Sequence, residues 1–408
     1  MASKRRHDSF GISKQAVLGM TAFLTEMKKP AMKSIAVKIM EKYAICDSCL
    51  GRQFGQVSTG MTNSERGKAI RCMLEAKPAK GRCSICNSLF QTGLEKWAVR
   101  AVKALKRMEY SSFVVGSRLS GDLISCEEGL WEHAGIAHCE PLKTELNREL
   151  GKLIWKKTRK KVDELNPDIV VLFDMAAGKL ILQVNPLFIY GEYQKLVRGI
   201  PQTKWEMYKV SVEGIIARPA MKATRGKAHT MHGAGREDID ARCLGWRPFV
   251  LEISEPVKRR IGLKKVQAAV NKSRKVKVRH LKYSNKKEVA KIKAARHDKT
   301  YRMLVQFQSP IESGKLKELK YITGVIKQKT PERVSHRRAD LLRKRKVKNI
   351  KWKRISNKRL ELEIRGEAGL YVKELVTGDN GRTIPNVSEV MDNPAKVMEL
   401  DVIRIHMK

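Results

Sequence analysis

The sequence predicts a multidomain α+β protein, and three observations carry that reading. Its 408 residues, 42% of them hydrophobic, are enough to bury a core in each of two or three domains. Two Cys-x-x-Cys pairs lie close together in the first quarter of the chain, the mark of a small metal-organised module. Further on, short runs of branched and aromatic residues alternate with basic segments, as in a mixed or antiparallel sheet rather than repeated strand-helix-strand units.

Taken in order, residues 1–35 are basic and weakly periodic, and they read as an arm able to touch phosphate or as a plain disordered tail. Residues 36–100 form the cysteine module, in which SERGKAIRCMLEA is a helix opened by Asn63 or Ser64. Residues 101–205 read as an α/β accessory domain. Its PLKTELNRELGKLIWKKTRKK segment sets Leu142, Leu146, Leu150, Leu153 and Ile154 on one helical face, and DIVVLFDM and KLILQVNPLFIY form a hairpin through AAGK. Residues 206–408 form the sheet domain, with strands in YKVSVEGII, RPFVLEIS, TYRMLVQFQ, KRLELEIRG and DVIRIHM. Two basic stretches interrupt it, KRRIGLKKVQAAVNKSRKVKVRHLK and RVSHRRADLLRKRKVKNIKWKR.

The charge narrows the partners. Lys and Arg number 84 against 42 Asp and Glu, a formal net charge of +42. A polyphosphate chain is the densest matching anion, because each neutralised phosphate releases counterions. No run reaches the roughly 18 apolar residues of a spanning helix, and MASKRRHDSF lacks a signal-peptide apolar core, so a cytoplasmic protein with no membrane partner is expected. No protein partner is inferable, and a monomer is the simplest expectation.

A two-residue gap lets both sulfurs of a Cys-x-x-Cys pair face one ion, and two pairs complete a four-sulfur tetrahedron. Cys46, Cys49, Cys83 and Cys86 therefore read as a structural Zn site, with Gly51 and Gly81 giving tight turns. Four sulfurs leave no open position for water, so no catalysis is assigned to the metal. Cys72, Cys126, Cys139 and Cys243 read as packing residues.

GAGREDIDARCLGWRPFVLEI joins a small-residue turn, an arginine and three acids to a strand, a good setting for a reacting carboxylate. Two nucleotide-binding readings fail. In GAGRED the third glycine position of a dinucleotide fingerprint holds Asp238, and in TRGKAH the first glycine of a phosphate loop is replaced by Met221.

GREDIDARCLG, RPFVLEI, KTYRMLVQF, QKTPERVSHRRADLLRKRKV and GLYVKELVTGDNGRTIPN, with GEYQKLVRGIPQTKW and the cysteine pairs upstream, occur in an order that resembles the archaeal and eukaryotic tRNA pseudouridine synthases of the tenth family. The resemblance spans about residues 40–405. It implies a pseudouridine synthase catalytic domain preceded by an RNA-binding, THUMP-like accessory domain. The expected activity is isomerisation of uridine to pseudouridine in the T arm of tRNA, at position 55 and also at 54, without an organic cofactor. The same resemblance implies Asp238 as catalytic carboxylate, Arg236 holding its loop, Tyr301 stacking on the uracil, Leu370 and Tyr371 closing over the base, and Lys373 pairing with Asp238. Thr377 departs from the histidine that relatives often carry.

The chemistry asks for the same parts. A carboxylate attacks the ribose carbon or removes a ribose proton, and the sequence leaves both routes open. The uridine must leave its stack, which calls for an aromatic platform and an apolar wall. Arg333, Arg337 and Arg338 in the second basic stretch, and Lys195 and Arg198 beside Tyr193 and Trp205 in GEYQKLVRGIPQTKW, are the expected RNA contacts. Glu237 and Asp240 read as structural or solvent-facing. Two alternatives remain at this point: a non-catalytic basic RNA-binding protein, and a metal-dependent RNA-processing enzyme using Glu237, Asp238 and Asp240.

Overall fold

The computed structural model describes residues 14–336 and 338–407 and resolves into two units, one ending at Asn185 and the other running from Pro186. Among the described residues no helix is long and apolar enough to cross a membrane.

The first unit opens with α1 (Lys14–Met27) and α2 (Pro30–Lys42), where an unstructured arm was expected. Phe23, Met27, Met32, Ala36 and Ile39 are buried and join the core of Ile45, Leu50 and Phe54. Short α3 (Asp47–Arg52) crosses α4 (Asn63–Met73) at the closest possible range. A Cβ on Gly51 would lie 1.8 Å from the Asn63 carbonyl oxygen, and one on Gly67 2.0 Å from that of Asp47. Gly51 thus serves a helix crossing rather than the expected turn, whereas Gly81, at φ +86°, does make a turn. The cap of α4 is Thr62, one residue before the expected Asn63. Its hydroxyl accepts from the Glu65 amide at 3.2 Å while the Glu65 carboxylate accepts from the Thr62 amide at 2.6 Å.

After α5 (Leu94–Leu105) come β1 (Ser112–Arg118), α6 (Gly121–Ala134), α7 (Leu142–Thr158), β2 (Lys161–Val162), β3 (Ile169–Asp174) and β4 (Lys179–Val184). The sheet order is β2-β1-β3-β4, parallel except for the β3–β4 hairpin. Helix α7 buries Leu142, Leu146, Leu150 and Ile154, as the spacing predicts.

In the second unit β5 (Leu187–Lys195) does not extend the accessory hairpin, although KLILQVNPLFIY reads as one strand. Pro186 breaks the run, and β5 instead pairs with β7 (Ala241–Ser254) and β8 (Val276–Ser284). YKVSVEGII is not a strand either. Ser211 accepts from the Gly214 amide at 3.0 Å and opens α8 (Val212–Thr224), whose buried Val212, Ile216 and Ala220 follow helical spacing. The chain continues through β6 (Ala228–Gly233), α9 (Leu263–Asn271), α10 (Lys286–Ala294), β9 (Asp298–Phe307), β10 (Gly324–Gln328), α11 (Glu332–Ser335), β11 (Arg343–Ser356), β12 (Arg359–Gly366), α12 (Val372–Thr377), β13 (Thr383–Ile384), α13 (Val387–Val390) and β14 (Ala395–His406). These strands form one mixed sheet in the order β13-β10-β11-β12-β9-β14-β7-β5-β8, with β6 on β7. Among the described pairings in it only β7 and β14 run parallel. Their junction divides two apolar cores, one around Met303, Leu362 and Leu375 and one around Tyr193, Phe249 and Val276.

Candidate active site

One register row crosses the sheet at the parallel junction. Ile364 of β12, Tyr301 of β9, Val402 of β14, Cys243 of β7 and Lys195 of β5 are consecutive partners, so their side chains share a face. The loop from Ala234 to Asp240 feeds β7 at this row.

Buried polar groups fasten that loop. Lys195 is fully buried, and its ammonium donates to the carbonyls of Ile200 at 2.9 Å and of Asp238 and Ile239 at 3.0 Å. Burial draws its pKa down, against the pull of Glu237. Glu237, buried rather than solvent-facing, is ion-paired to buried Arg247 at 3.0 Å and accepts from the Tyr193 hydroxyl at 2.9 Å. Arg247 donates to the Ala234 carbonyl at 2.8 Å, and the Gln202 amide donates to the Tyr193 hydroxyl at 2.7 Å and the Gly235 carbonyl at 2.9 Å. These bonds hold the loop from beneath, and the Asp238 carboxylate faces outward, 38% exposed, with Asp240 more exposed still.

Two cations meet that acid. Lys373 Nζ lies 3.3 Å from Asp238 Oδ2 and bonds Asp240 Oδ1 and Oδ2 at 2.9 and 2.7 Å. Partial burial opposes it, yet Lys373 holds the Asp240 carboxyl below the usual carboxylate range. Arg333 Nη2 approaches Asp238 Oδ2 at 3.5 Å. Tyr301 is nearly buried, and burial pushes its phenol up to about 12. Two residues before it on the same face, burial and then the Arg247 guanidinium push Lys299 down to about 8. Leu370 is buried against Gly366, where an added Cβ would stand 2.3 Å from Leu370 Cδ2. Tyr371 is half-buried; its hydroxyl accepts from Arg338 at 3.0 Å and its backbone is clasped by Gln328.

The expected RNA contacts divide. Arg236 and Arg338 are exposed, and Trp205 is half-exposed beside Tyr208, with ring centroids 5.6 Å apart. Arg337 lies outside the described residues. Lys195 is not a phosphate contact, because its charge is enclosed under the loop. Arg198 is committed as well, to Glu399 at 2.9 Å, Asp401 at 2.8 Å and the Leu400 carbonyl at 2.6 Å. The Glu237–Arg247 pair and Glu374 were missed by sequence reasoning. A charged residue on a strand, Arg247 in RPFVLEI, is the signal that pointed to the first.

In the first unit Cys46, Cys49, Cys83 and Cys86 are buried, with all sulfurs within 4.8 Å of one another. The Cys46 to Cys86 separation of 3.7 Å matches the ~3.8 Å edge of a tetrahedron with ~2.3 Å metal–sulfur bonds. The Cys46 amide points at Cys83 Sγ at 3.3 Å and Arg52 Nη1 at Cys49 Sγ at 3.5 Å, donors suited to thiolates. Buried Arg52 is itself ion-paired to Glu145 at 3.1 Å, and Arg71 ties α4 to the first cysteine turn through Asp47 at 2.8 Å.

Sheet, fastened acidic loop and cysteine module together define a modular α+β enzyme. Residues 188–406 match the family profile of the Pus10 C-terminal domain, and residues 97–174 that of the archaeal Pus10 THUMP domain. The tRNA pseudouridine synthase Pus10 of Methanothrix thermoacetophila is 40% identical over 424 residues, covering 91% of this chain and 94% of that protein. The enzyme of the same name from Pyrococcus furiosus is 40% identical, covering 91% of this chain and 97% of that one, and that of Archaeoglobus fulgidus is 41% identical, covering 79% and 95%. The chain belongs to the Pus10 family.

Proposed function

We propose that this tRNA pseudouridine synthase, an isomerase, acts in the T arm of tRNA at uridine 55 and also at 54, with Asp238 as its reacting carboxylate and no organic cofactor. The observation that carries the reading is the Asp238 carboxylate itself, outward on a loop fastened from beneath and facing Lys373 at 3.3 Å. The reaction breaks the bond from ribose C1′ to uracil N1, turns the base and rejoins it through C5, with no net redox change. Either route, addition of the carboxylate to C1′ or removal of a ribose proton, needs an ionised oxygen held still. Lys373 sets an opposite charge 3.3 Å from that carboxylate.

The uridine leaves its stack to reach Asp238, with Tyr301 as platform and Leu370 and Tyr371 as closing wall. Exposed Arg236 and Arg338 are assigned to phosphates, and Arg337, outside the described residues, is assigned with them from its place in the same basic stretch. The THUMP-matched region is assigned to RNA binding, so the functional division runs from a cysteine module through that accessory domain to a catalytic domain. The four cysteines are assigned to structural zinc, which holds α3 and its neighbours together and takes no part in the chemistry. A cytoplasmic location fits a tRNA substrate.

Asp238→Asn tests the reading. The variant is expected to bind tRNA like the parent and to form no pseudouridine, read by modification mapping of a tRNA transcript. Equal product from both proteins would sink the assignment.

A further inference from the structure

Arg333 reaches the site from α11, in the connection after β10, and its two edges have different partners. Nε donates to Glu374 Oε1 at 2.6 Å, while Nη2 faces Asp238 Oδ2 at 3.5 Å. The Glu374 side chain is only 5% exposed, and its second oxygen is buried with no hydrogen-bond partner among the described residues. An acid buried at that cost needs a purpose, and Arg333 supplies one. A guanidinium is a rigid planar fork, so fixing one edge aims the other. The connection that carries it is also anchored: Arg382 donates twice to the Thr330 carbonyl, at 2.9 and 2.8 Å, and the Glu332 amide donates to Asp379 at 3.2 Å.

Lys373 and Arg333 both approach the Asp238 carboxylate, with Oδ2 as the nearest oxygen at 3.3 and 3.5 Å. We infer that Arg333 is a positioning residue for Asp238, aimed by Glu374, and that with Lys373 it fixes the carboxylate that meets the ribose. This reading departs from the expectation that Arg333 grips RNA, since its Nε and Nη2 are turned to two carboxylates of the protein. The inference rests on the reading of Asp238 as the reacting group.

Full-length parent, Arg333→Gln, Glu374→Met, the double variant and Asp238→Asn are compared on one tRNA transcript. The readouts are the single-turnover rate at saturating enzyme and the tRNA Kd across a salt series. A displacement on the order of 1 Å costs about 100-fold in rate. Arg333→Gln is therefore expected to lower the saturating rate about 10- to 100-fold, with Kd and its salt slope unchanged. Glu374→Met is expected to lower the rate in the same direction, and the double variant to be no slower than Arg333→Gln alone. A raised Kd with a shallower salt slope and a parental saturating rate would make Arg333 a phosphate ligand and overturn the inference. So would rate losses that multiply in the double variant. If Arg333→Gln does not fold, Arg333→Lys takes its place; it keeps the charge, lacks the fork, and is expected to show the same rate loss. An inactive Asp238→Asn beside a fully active Arg333→Gln would defeat this inference alone, whereas an active Asp238→Asn would defeat the reading beneath it.

Discussion

The acidic loop is fastened by side chains that solvent does not reach, and each can be tested alone. Lys195→Met deprives the carbonyls of Ile200, Asp238 and Ile239 of their common donor. Hydrogen bonds to a charged group are worth about 1.5–3 kcal/mol each, less what relaxation recovers. A stability loss on the order of 3 kcal/mol by denaturant titration, with an unchanged salt slope of tRNA binding, is the expected outcome; a shallower slope would return Lys195 to the RNA surface. Lys299 offers a pH test. With its folded pKa pushed down to about 8 from 10.5, both folded and unfolded forms are protonated below pH 8, and there the enclosed charge destabilises fully. As pH rises from 8 towards 10.5 the folded form sheds its proton and that cost disappears. Lys299→Met is therefore expected to melt a few degrees higher than the parent at pH 7 and at nearly the same temperature near pH 10. At this scale the approach of Lys373 to Asp238 was legible while burial was not. The family motifs single out Asp238, Tyr301 and Lys373 although 135 residues separate the first from the last, and the fold brings Lys373 to Asp238. Lys195 and Arg198 read as surface cations because a sequence does not say which lysine a loop will close over.

Elements were legible where one local rule decided them. The apolar stripe of α7 and the β3–β4 hairpin carry their periodicity in plain view. Residues 208–216 misled because Val and Ile suit both states, and only the Ser211 cap selects helix. The partners of β5 were out of reach for a different reason: alternation announces a strand, not the strand it joins. Helices α1 and α2 were missed because the basic KRR and MKKP segments drew the reading away from the apolar residues within them, Phe23 and Met27 of α1 and Met32, Ala36 and Ile39 of α2. The α3–α4 crossing has a clear signature once seen. Gly67→Ala would drive a methyl into the Asp47 backbone, 2.0 Å from its carbonyl oxygen, with no flexible neighbour able to yield. Overpacking of this kind costs about 1–3 kcal/mol or more. The expected result is a lower melting temperature of the first unit together with less bound metal, measured by circular dichroism and metal analysis; an unchanged metal content would refute the coupling of crossing to cysteines.

On the scale of the whole molecule, the excess of 84 basic over 42 acidic residues remains the plainest statement about its partner. A protein neutralising about 6–10 phosphates loses roughly 10³–10⁵ in affinity between 50 and 200 mM salt. tRNA binding is expected to fall steeply and linearly on a log–log plot against salt, and a flat plot would contradict a phosphate-led encounter.

The parallel pair at the centre of the large sheet has a temporal consequence. Arg242 on β7 and Asp401 on β14 face each other across 159 positions of chain. At about 5–20 residues per second, a ribosome needs roughly 8–30 s to travel that distance. During that interval the wedge between β9 and β7 stands open, and it closes only when β14, the last described strand, has been made.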